Sequence, residues 1–258
     1  MDFEAFTEKM MELLKKRVGD SWEVSVFKAL KNNGIKRTGI MLAKKGERYG
    51  SILYLEGAYE RFMDGMDVED AVDVLLDAQL GHDFEVEFDK KFQAESFRDY
   101  SHVREHLRLR LINYGKNTEL LEDVPHVRWN DLAVIFCYEI EAWKEGGAYI
   151  MIRNDHLTEW EETVETLYKD ALKNMKDRAQ DDMFSLNDMF MKEKEPDREE
   201  IPPMYVLTNV SRKFGAAVML YSGKMKELAD MIGSDLVILP SSLHEVLLLE
   251  DDEETHSR

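Results

Sequence analysis

The sequence predicts an α+β protein: antiparallel or mixed sheets with helices packed on them, arranged as two αβ units. Three observations carry this. Asn33-Gly34 joins two loosely alternating runs as a hairpin turn, because both residues tolerate positive φ. Val127 to Ile140 alternates as a strand, and Gly146-Gly147 turns it back into Ala148 to Arg153. Met204 to Glu250 packs strand, strand, helix, strand and strand into one short stretch.

The elements follow in order. Phe3, Phe6, Met10, Leu13 and Leu14 recur at helical spacing over 3–18, and Gly19 suits the end of that helix. Trp22 to Leu30 is a strand with Trp22, Val24 and Val26 on one side, and Ile35 to Ala43 returns beside it. A second turn at 44–47 leads to a strand over Ser51 to Leu55, then a short helix over Gly57 to Met63. Asp67 is a good N-cap for the next helix, whose first turn carries Glu69 and Asp70 where the helix dipole favours anions. Its buried stripe is Val68, Ala71, Val72, Leu75 and Leu76, and Gly81 closes it. The first unit is therefore α-β-β-β-α-α over 1–82.

Residues 83–100 read as a connection. Tyr100 to Asn113 reads as a helix on the alignment of Val103, Leu107 and Leu111, and Trp160 to Met175 as another, with Val164, Leu167, Tyr168, Ala171 and Leu172 inward. The second unit spans 101–249. Within it, 176–203 is rich in Asp, Glu, Lys and Met and ends in Pro202-Pro203, the composition of a linker or flexible arm, with room for one surface helix over Met183 to Met191. Met204 to Thr208 and Ala216 to Tyr221 read as strands, Gly223 to Ile232 as a helix closed by Gly233. Leu236 to Leu239 and Val246 to Leu249 are unbroken apolar runs of the kind covered on both faces. The tail over 250–258 is acidic and reads as disordered.

Bulk properties narrow the function classes. Hydrophobic residues make up 44% and aromatics 10%, enough to build a core. The net charge is −19, from 34 basic and 53 acidic residues. That opposes direct binding to nucleic acid or to an anionic membrane surface, since both are polyanions. It favours a protein partner with a basic surface, or mimicry of nucleic acid. Cys137 is the only cysteine, which excludes an intrachain disulfide and fits a reducing compartment. Flanked by Phe136 and Tyr138 in an alternating pattern, it reads as an inert buried thiol. The N-terminus lacks the basic-then-apolar pattern of a signal peptide, and no apolar run approaches the length of a membrane span. The expected setting is the cytoplasm.

Three constellations have the residue types that chemistry needs. His102-Val103-Arg104-Glu105-His106 spells the inverted zincin pattern, in which two imidazoles on one helix face hold zinc and the glutamate acts as base. A working site needs a third ligand from a later helix, and none stands out; the histidines fall on a flank beside Arg110. Ser241, Ser242, His244 and Glu245 cluster at the Pro240 turn, where a serine with a histidine base is conceivable. The Gly-x-Ser-x-Gly elbow is absent, and hydroxyls at such a turn ordinarily bond backbone groups that the turn leaves open. Asn154, Asp155, His156 and Trp160 lie where a strand gives way to a helix. That position suits capping and, secondarily, ligand binding. Asn209, after the strand from Met204, is a further binding candidate. No phosphate loop, dinucleotide glycine pattern or Cys-x-x-Cys pair occurs, so no cofactor is expected.

Four stretches carry a family resemblance. They are Lys31 to Lys36 with Tyr54-Leu55-Glu56; Leu111 to Tyr114 with Leu120 to His126 and Asp131-Leu132-Ala133; Ile152 to Trp160 with the helix after it; and Pro203 to Asn209, Gly215-Ala216-Ala217, Ile232 to Leu236 and Leu239 to Val246. Together they resemble an uncharacterised bacterial family, the domain of unknown function 5688. The last stretch is the most specific. The second half is also distantly similar in layout to the domain of unknown function 1444. The resemblance implies neither a reaction nor a catalytic residue. The expectation is thus a non-enzymatic cytoplasmic protein that binds another macromolecule, with an acidic inhibitor or nucleic-acid mimic, or a zinc- or serine-dependent hydrolase, as the rival readings.

Overall fold

The computed structural model describes residues 1–46, 50–80, 94–140, 148–178, 181–185 and 204–251. The chain divides into two compact units, 1–93 and 94–258. Their secondary structure is α+β, and among the described residues every strand pairing is antiparallel.

In the first unit, helix α1 (Phe3–Val18) starts at Asp2, whose carboxylate accepts from the Ala5 N–H at 2.9 Å. Phe6, Met10 and Leu14, each four residues apart, form one fully buried stripe. Lys15, Lys16 and Arg17 sit in the last turn, where the helix dipole favours cations. Strands β1 (Trp22–Leu30), β2 (Lys36–Lys44) and β3 (Gly50–Tyr54) make an antiparallel sheet in that order. Asn33 and Gly34 take φ of 63° and 69° in the β1–β2 turn, which explains that residue pair. Helices α2 (Glu56–Met63) and α3 (Val68–Leu80) follow, and the Asp67 carboxylate accepts from the Glu69 N–H at 2.8 Å. The α1 stripe meets Ile40, Leu42, Leu53, Leu55, Ala71 and Val72 in one core.

The second unit opens with two short helices, α4 (Ala94–Phe97) and α5 (Tyr100–Val103), so the connection read over 83–100 ends earlier on its C-terminal side. Residues 83–93 lie outside the described residues. Strand β4 (Leu107–Asn113) comes next, then α6 (Thr118–Leu121), β5 (His126–Trp129), β6 (Leu132–Ile140) and β7 (Ala148–Met151). Strand β6 is the centre of this sheet and pairs with β4, β5 and β7. It is buried at every residue from Leu132 to Tyr138.

Helices α7 (Asn154–Trp160) and α8 (Val164–Arg178) follow. Helix α8 packs across β4, β5 and β6. It also occupies the outer edge of β4: the Leu109 N–H donates to Met175 Sδ at 3.4 Å, and Asn174 Nδ2 donates to the carbonyls of Arg104 and Leu107 at 2.6 and 3.3 Å. Buried Asp170 anchors the same helix by accepting from Tyr100 Oη and from Arg104 Nη2, each at 3.0 Å. A second sheet has the order β10–β11–β9–β8, from β8 (Asp181–Ser185), β9 (Met204–Asn209), β10 (Leu236–Pro240) and β11 (Val246–Glu250). Between β9 and β10 lie a buried 3-10 segment (Gly215–Leu220) and helix α9 (Lys224–Ile232).

Several sequence expectations change. The helix read over 100–113 is one helical turn, a 3-10 turn and then strand β4. Val103, Leu107 and Leu111 are four apart, and a spacing of four keeps one face in a helix and in a strand alike. The intervening Leu109, fully buried between Arg108 and Arg110, is what a strand requires. The single strand over 127–140 is a hairpin, because Asn130 adopts φ 53° and pairs Trp129 with Leu132. The helix over 160–175 is split by Glu161 at φ 56°, and Thr163 Oγ1 accepts from the Thr166 N–H to restart it.

The strand over 216–221 is the 3-10 segment; a short buried apolar run has no period that separates the two. In the arm over 176–203, Asp181–Ser185 is an edge strand with Met183 opposite Leu207. The proposed surface helix therefore does not start at Met183, and its remainder over 186–191 lies outside the described residues. So do the Gly146-Gly147 turn and the tail over 252–258. Strand β10 is only half-buried, with Leu239 43% exposed, so it is not covered on both faces as its apolar run suggested.

Candidate functional site

The zincin-like residues fall on two different turns. His102 is exposed on α5, while His106 ends the 3-10 turn and is buried. Their rings still meet, with centroids 5.0 Å apart, and Tyr138 Oη lies 3.4 Å from His102 Nε2. Glu105 is exposed between them. Among the described residues, no group of three His, Cys, Asp or Glu side chains is placed to hold a metal ion. Arg110, expected beside these histidines, instead stacks on Phe214.

The start of α7 gathers Asn154, His156 and Trp160 as fasteners. Asn154 Nδ2 donates to the Glu122 carbonyl at 3.0 Å, and Trp160 Nε1 donates to the Phe97 carbonyl at 3.0 Å. The rings of Phe97, His156 and Trp160 pack together edge-on and tilted. His156 Nδ1 accepts from the Arg153 N–H at 3.1 Å, and its own N–H donates to Asp155 Oδ1. Burial among these rings pushes the His156 pKa down, against a smaller upward pull from Asp155. Because the folded value lies below the unfolded value of about 6.5, the unfolded chain binds the proton first. Stability from this residue is present above that pH and is lost as pH falls through the folded value. In thermal melts from pH 7.5 to pH 5, the wild type should lose more stability than His156→Gln, whose amide oxygen keeps the bond to Arg153.

The serine–histidine cluster holds a hairpin. Ser242 Oγ accepts from the His244 N–H at 2.9 Å, and the Ser242 N–H donates to the Glu245 carbonyl. His244 Nδ1 accepts from the Phe214 N–H at 3.1 Å, and the His244 carbonyl accepts from Thr208 Oγ1 at 2.7 Å. Ser241 is exposed. The hydroxyl of Ser242 and the imidazole of His244 are thus both committed to backbone groups. Asn209 does the same for the loop after β9. Its Oδ1 accepts from Ser211 Oγ and from the Lys213 N–H, and its Nδ2 donates to the Lys213 carbonyl. The loop ends at Phe214, with φ 54°.

Gly215 follows in a cradle that admits no side chain. A Cβ there would fall well inside contact distance of Thr208 Oγ1 and the His244 carbonyl oxygen, and 2.7 Å from the Asn209 nitrogen.

This loop walls a cleft of about 220 Å³ against the first sheet of the unit. Arg108 and Glu139 pair across it, and Tyr149 Oη donates to the second oxygen of Glu139 at 3.1 Å. Burial, then the Glu139 carboxylate, pushes the Tyr149 pKa up. Met175, Ser211, Lys213 and the Phe214 ring complete the lining. Behind it the Arg110 guanidinium lies 4.0 Å from the Phe214 centroid and 5.4 Å from that of Tyr149. Next to Arg108, burial raises the Cys137 thiol pKa to about 11, so the thiol stays protonated at neutral pH.

Of the lining residues, sequence reasoning named only Asn209 as a binding candidate and missed Arg108, Glu139, Tyr149 and Phe214, with Arg110 beside them. The signal was present in the alternation Leu107-Arg108-Leu109-Arg110-Leu111, a strand with leucines on one face and arginines on the other.

A family model described as a family of unknown function, DUF5688, matches residues 3–258. The chain belongs to that family. No curated protein and no solved structure matches it. In this DUF5688 chain the stretch from Met204 through Gly215-Ala216-Ala217 to Glu250 supplies β9, the Asn209 loop, the Gly215 cradle and the β10–β11 hairpin. This stretch is thus a set of backbone-holding contacts. Among the described residues, no helix is long and apolar enough to cross a membrane.

Proposed function

We propose that this DUF5688 protein works without chemistry of its own, by binding another protein through the free edge of β10. The observation that carries the reading is the strand's composition. Leu236-Val237-Ile238-Leu239-Pro240 is an uncharged apolar strand at the end of its sheet, and no described strand lies beyond it. Unpaired N–H and C=O groups on such an edge template pairing with another chain, and proteins normally blunt it with charge, proline, a bulge or a covering element; among the described residues β10 has only Pro240, at its last position, which leaves 236–239 open. The edge of β4 has that protection from Met175 and Asn174. Strand addition, in which a partner supplies the next strand and side-chain pockets set specificity, fits the exposed edge.

The net charge of −19 favours a partner with a basic surface, which it steers through long-range attraction. Under the same reading the protein is bacterial and cytoplasmic, and the likeness of its second half to the domain of unknown function 1444 reflects a shared fold. The engagement of Ser242, His244, Asn154 and Asn209 with backbone groups supports a role other than catalysis.

The test is co-purification of tagged protein from its own cells, with Leu239→Lys as control. A lysine on an edge strand blocks added strands and leaves existing pairing intact. The wild type should retain a partner, weakened by salt, and the variant should lose it. Equal retention by both contradicts the reading.

A further inference from the structure

We propose that the cleft beside the Asn209 loop is a binding site for a small oxyanion, a carboxylate or phosphate group carried on a flat apolar body. It stands apart from the β10 edge, and neither idea depends on the other.

Glu139 is the one carboxylate among the described lining residues, and both of its oxygens are occupied, one by Arg108 and one by Tyr149. Its charge is therefore already neutralised by Arg108. Lys213 also lines the cleft. Its backbone is fixed from both sides by Asn209, while no described residue accepts from its ammonium group. Arg110 stands behind the wall, stacked on Phe214 and over Tyr149, with Nε buried and without a hydrogen-bond partner; no described carboxylate pairs with it. Among the described residues, two cations near one small cleft are thus without a paired carboxylate, in a chain of net charge −19.

An anion placed there gains from both, more than it would on the open surface, because the partly buried walls lower the effective dielectric. Lys213 Nζ supplies the charge-assisted hydrogen bonds. Phe214, Tyr149 and Met175 supply ring faces and a polarisable thioether against which a flat apolar body packs. The rings are held from outside the cleft, Phe214 by the stacked His244 imidazole and by Arg110, so little order is lost when a ligand arrives. The volume, about 220 Å³, is below the roughly 300–1,000 Å³ of pockets that take drug-sized molecules. It suits a single-ring or short-chain metabolite.

The experiment is titration of the whole protein with benzoate, phenyl phosphate and uncharged benzamide, followed by calorimetry or by shifts of the Phe214 and Tyr149 ring signals. Lys213→Ala is the variant, since among the described residues that side chain makes no hydrogen bond or ion pair and the Asn209 bonds run to its backbone; an unchanged thermal melt checks that the fold is kept. Benzoate or phenyl phosphate should bind, with affinity that falls as salt rises and falls roughly tenfold or more in Lys213→Ala. Benzoate binding alone identifies a carboxylate ligand, phenyl phosphate alone a phosphate, and binding of both the shared oxyanion. Absence of binding by both anions, equal binding of benzamide, or unchanged affinity in Lys213→Ala overturns the proposal.

Discussion

Replacing Gly215 with alanine is expected to destabilise the second unit by about 3 kcal/mol or more, because the new methyl has nowhere to go. Its neighbours are a hydroxyl already bonded to a carbonyl, that carbonyl itself, and a backbone nitrogen. None is the far end of a flexible side chain. Relief would require breaking the Thr208–His244 bond and moving β9 away from the β10–β11 hairpin. Because His244 also holds the Phe214 N–H, the Asn209 loop and the cleft wall would move with it. The measurement is the chemical-denaturation midpoint. Gly57→Ala is the matched control: it lies in α2 with nothing within 4 Å of the added Cβ. That change should be neutral or stabilising by a few tenths of a kcal/mol up to about 1, from helix propensity. Equal effects at the two positions would remove the cradle from the account.

Truncating Phe136 to alanine should cost about 3–5 kcal/mol, the range for an aromatic ring deleted from a closed core. Phe136 is fully buried, midway along the central strand β6, opposite Leu109 in β4. Helix α8 packs on this sheet, and the 3-10 segment packs on β4. A site enclosed by so many elements has little freedom to collapse into the void. The value comes from urea unfolding of the whole protein. A loss below 1 kcal/mol would mean that β6 is not enclosed as described.

Sequence and structure part company in an instructive way. Elements with a strong local period and matching caps are legible: α1 with Gly19, the Asn33-Gly34 turn, and α3 with Asp67. Each is decided by contacts within a few residues of itself. Strand β4 and the 3-10 segment are decided by what covers them. Three aligned apolar residues, Val103, Leu107 and Leu111, satisfy two periods at once, and only the buried Leu109 between two arginines separates them. The Gly215 cradle depends on Thr208, seven positions earlier, and on His244, twenty-nine later. No local pattern reveals such a meeting: His244 stood out as a polar residue at a turn, but Thr208 read only as the end of a strand. The cleft was hidden for the same reason, since its cations come from β4 and from the loop after β9. The polar candidates that sequence reasoning did select are mostly tied to backbone groups, the role ordinarily taken by Ser, Asn and His at turns and helix starts.

The central claim is that β10 offers an open edge to a partner strand. Backbone amide hydrogen exchange over 236–240 tests it most directly, in the purified protein and again with the captured partner added. The outward amides of β10 should exchange quickly in the protein alone and become protected on addition of the partner, with Leu239→Lys abolishing the change. Slow exchange of those amides in the protein alone, or rates that the partner leaves unaltered, would contradict the account.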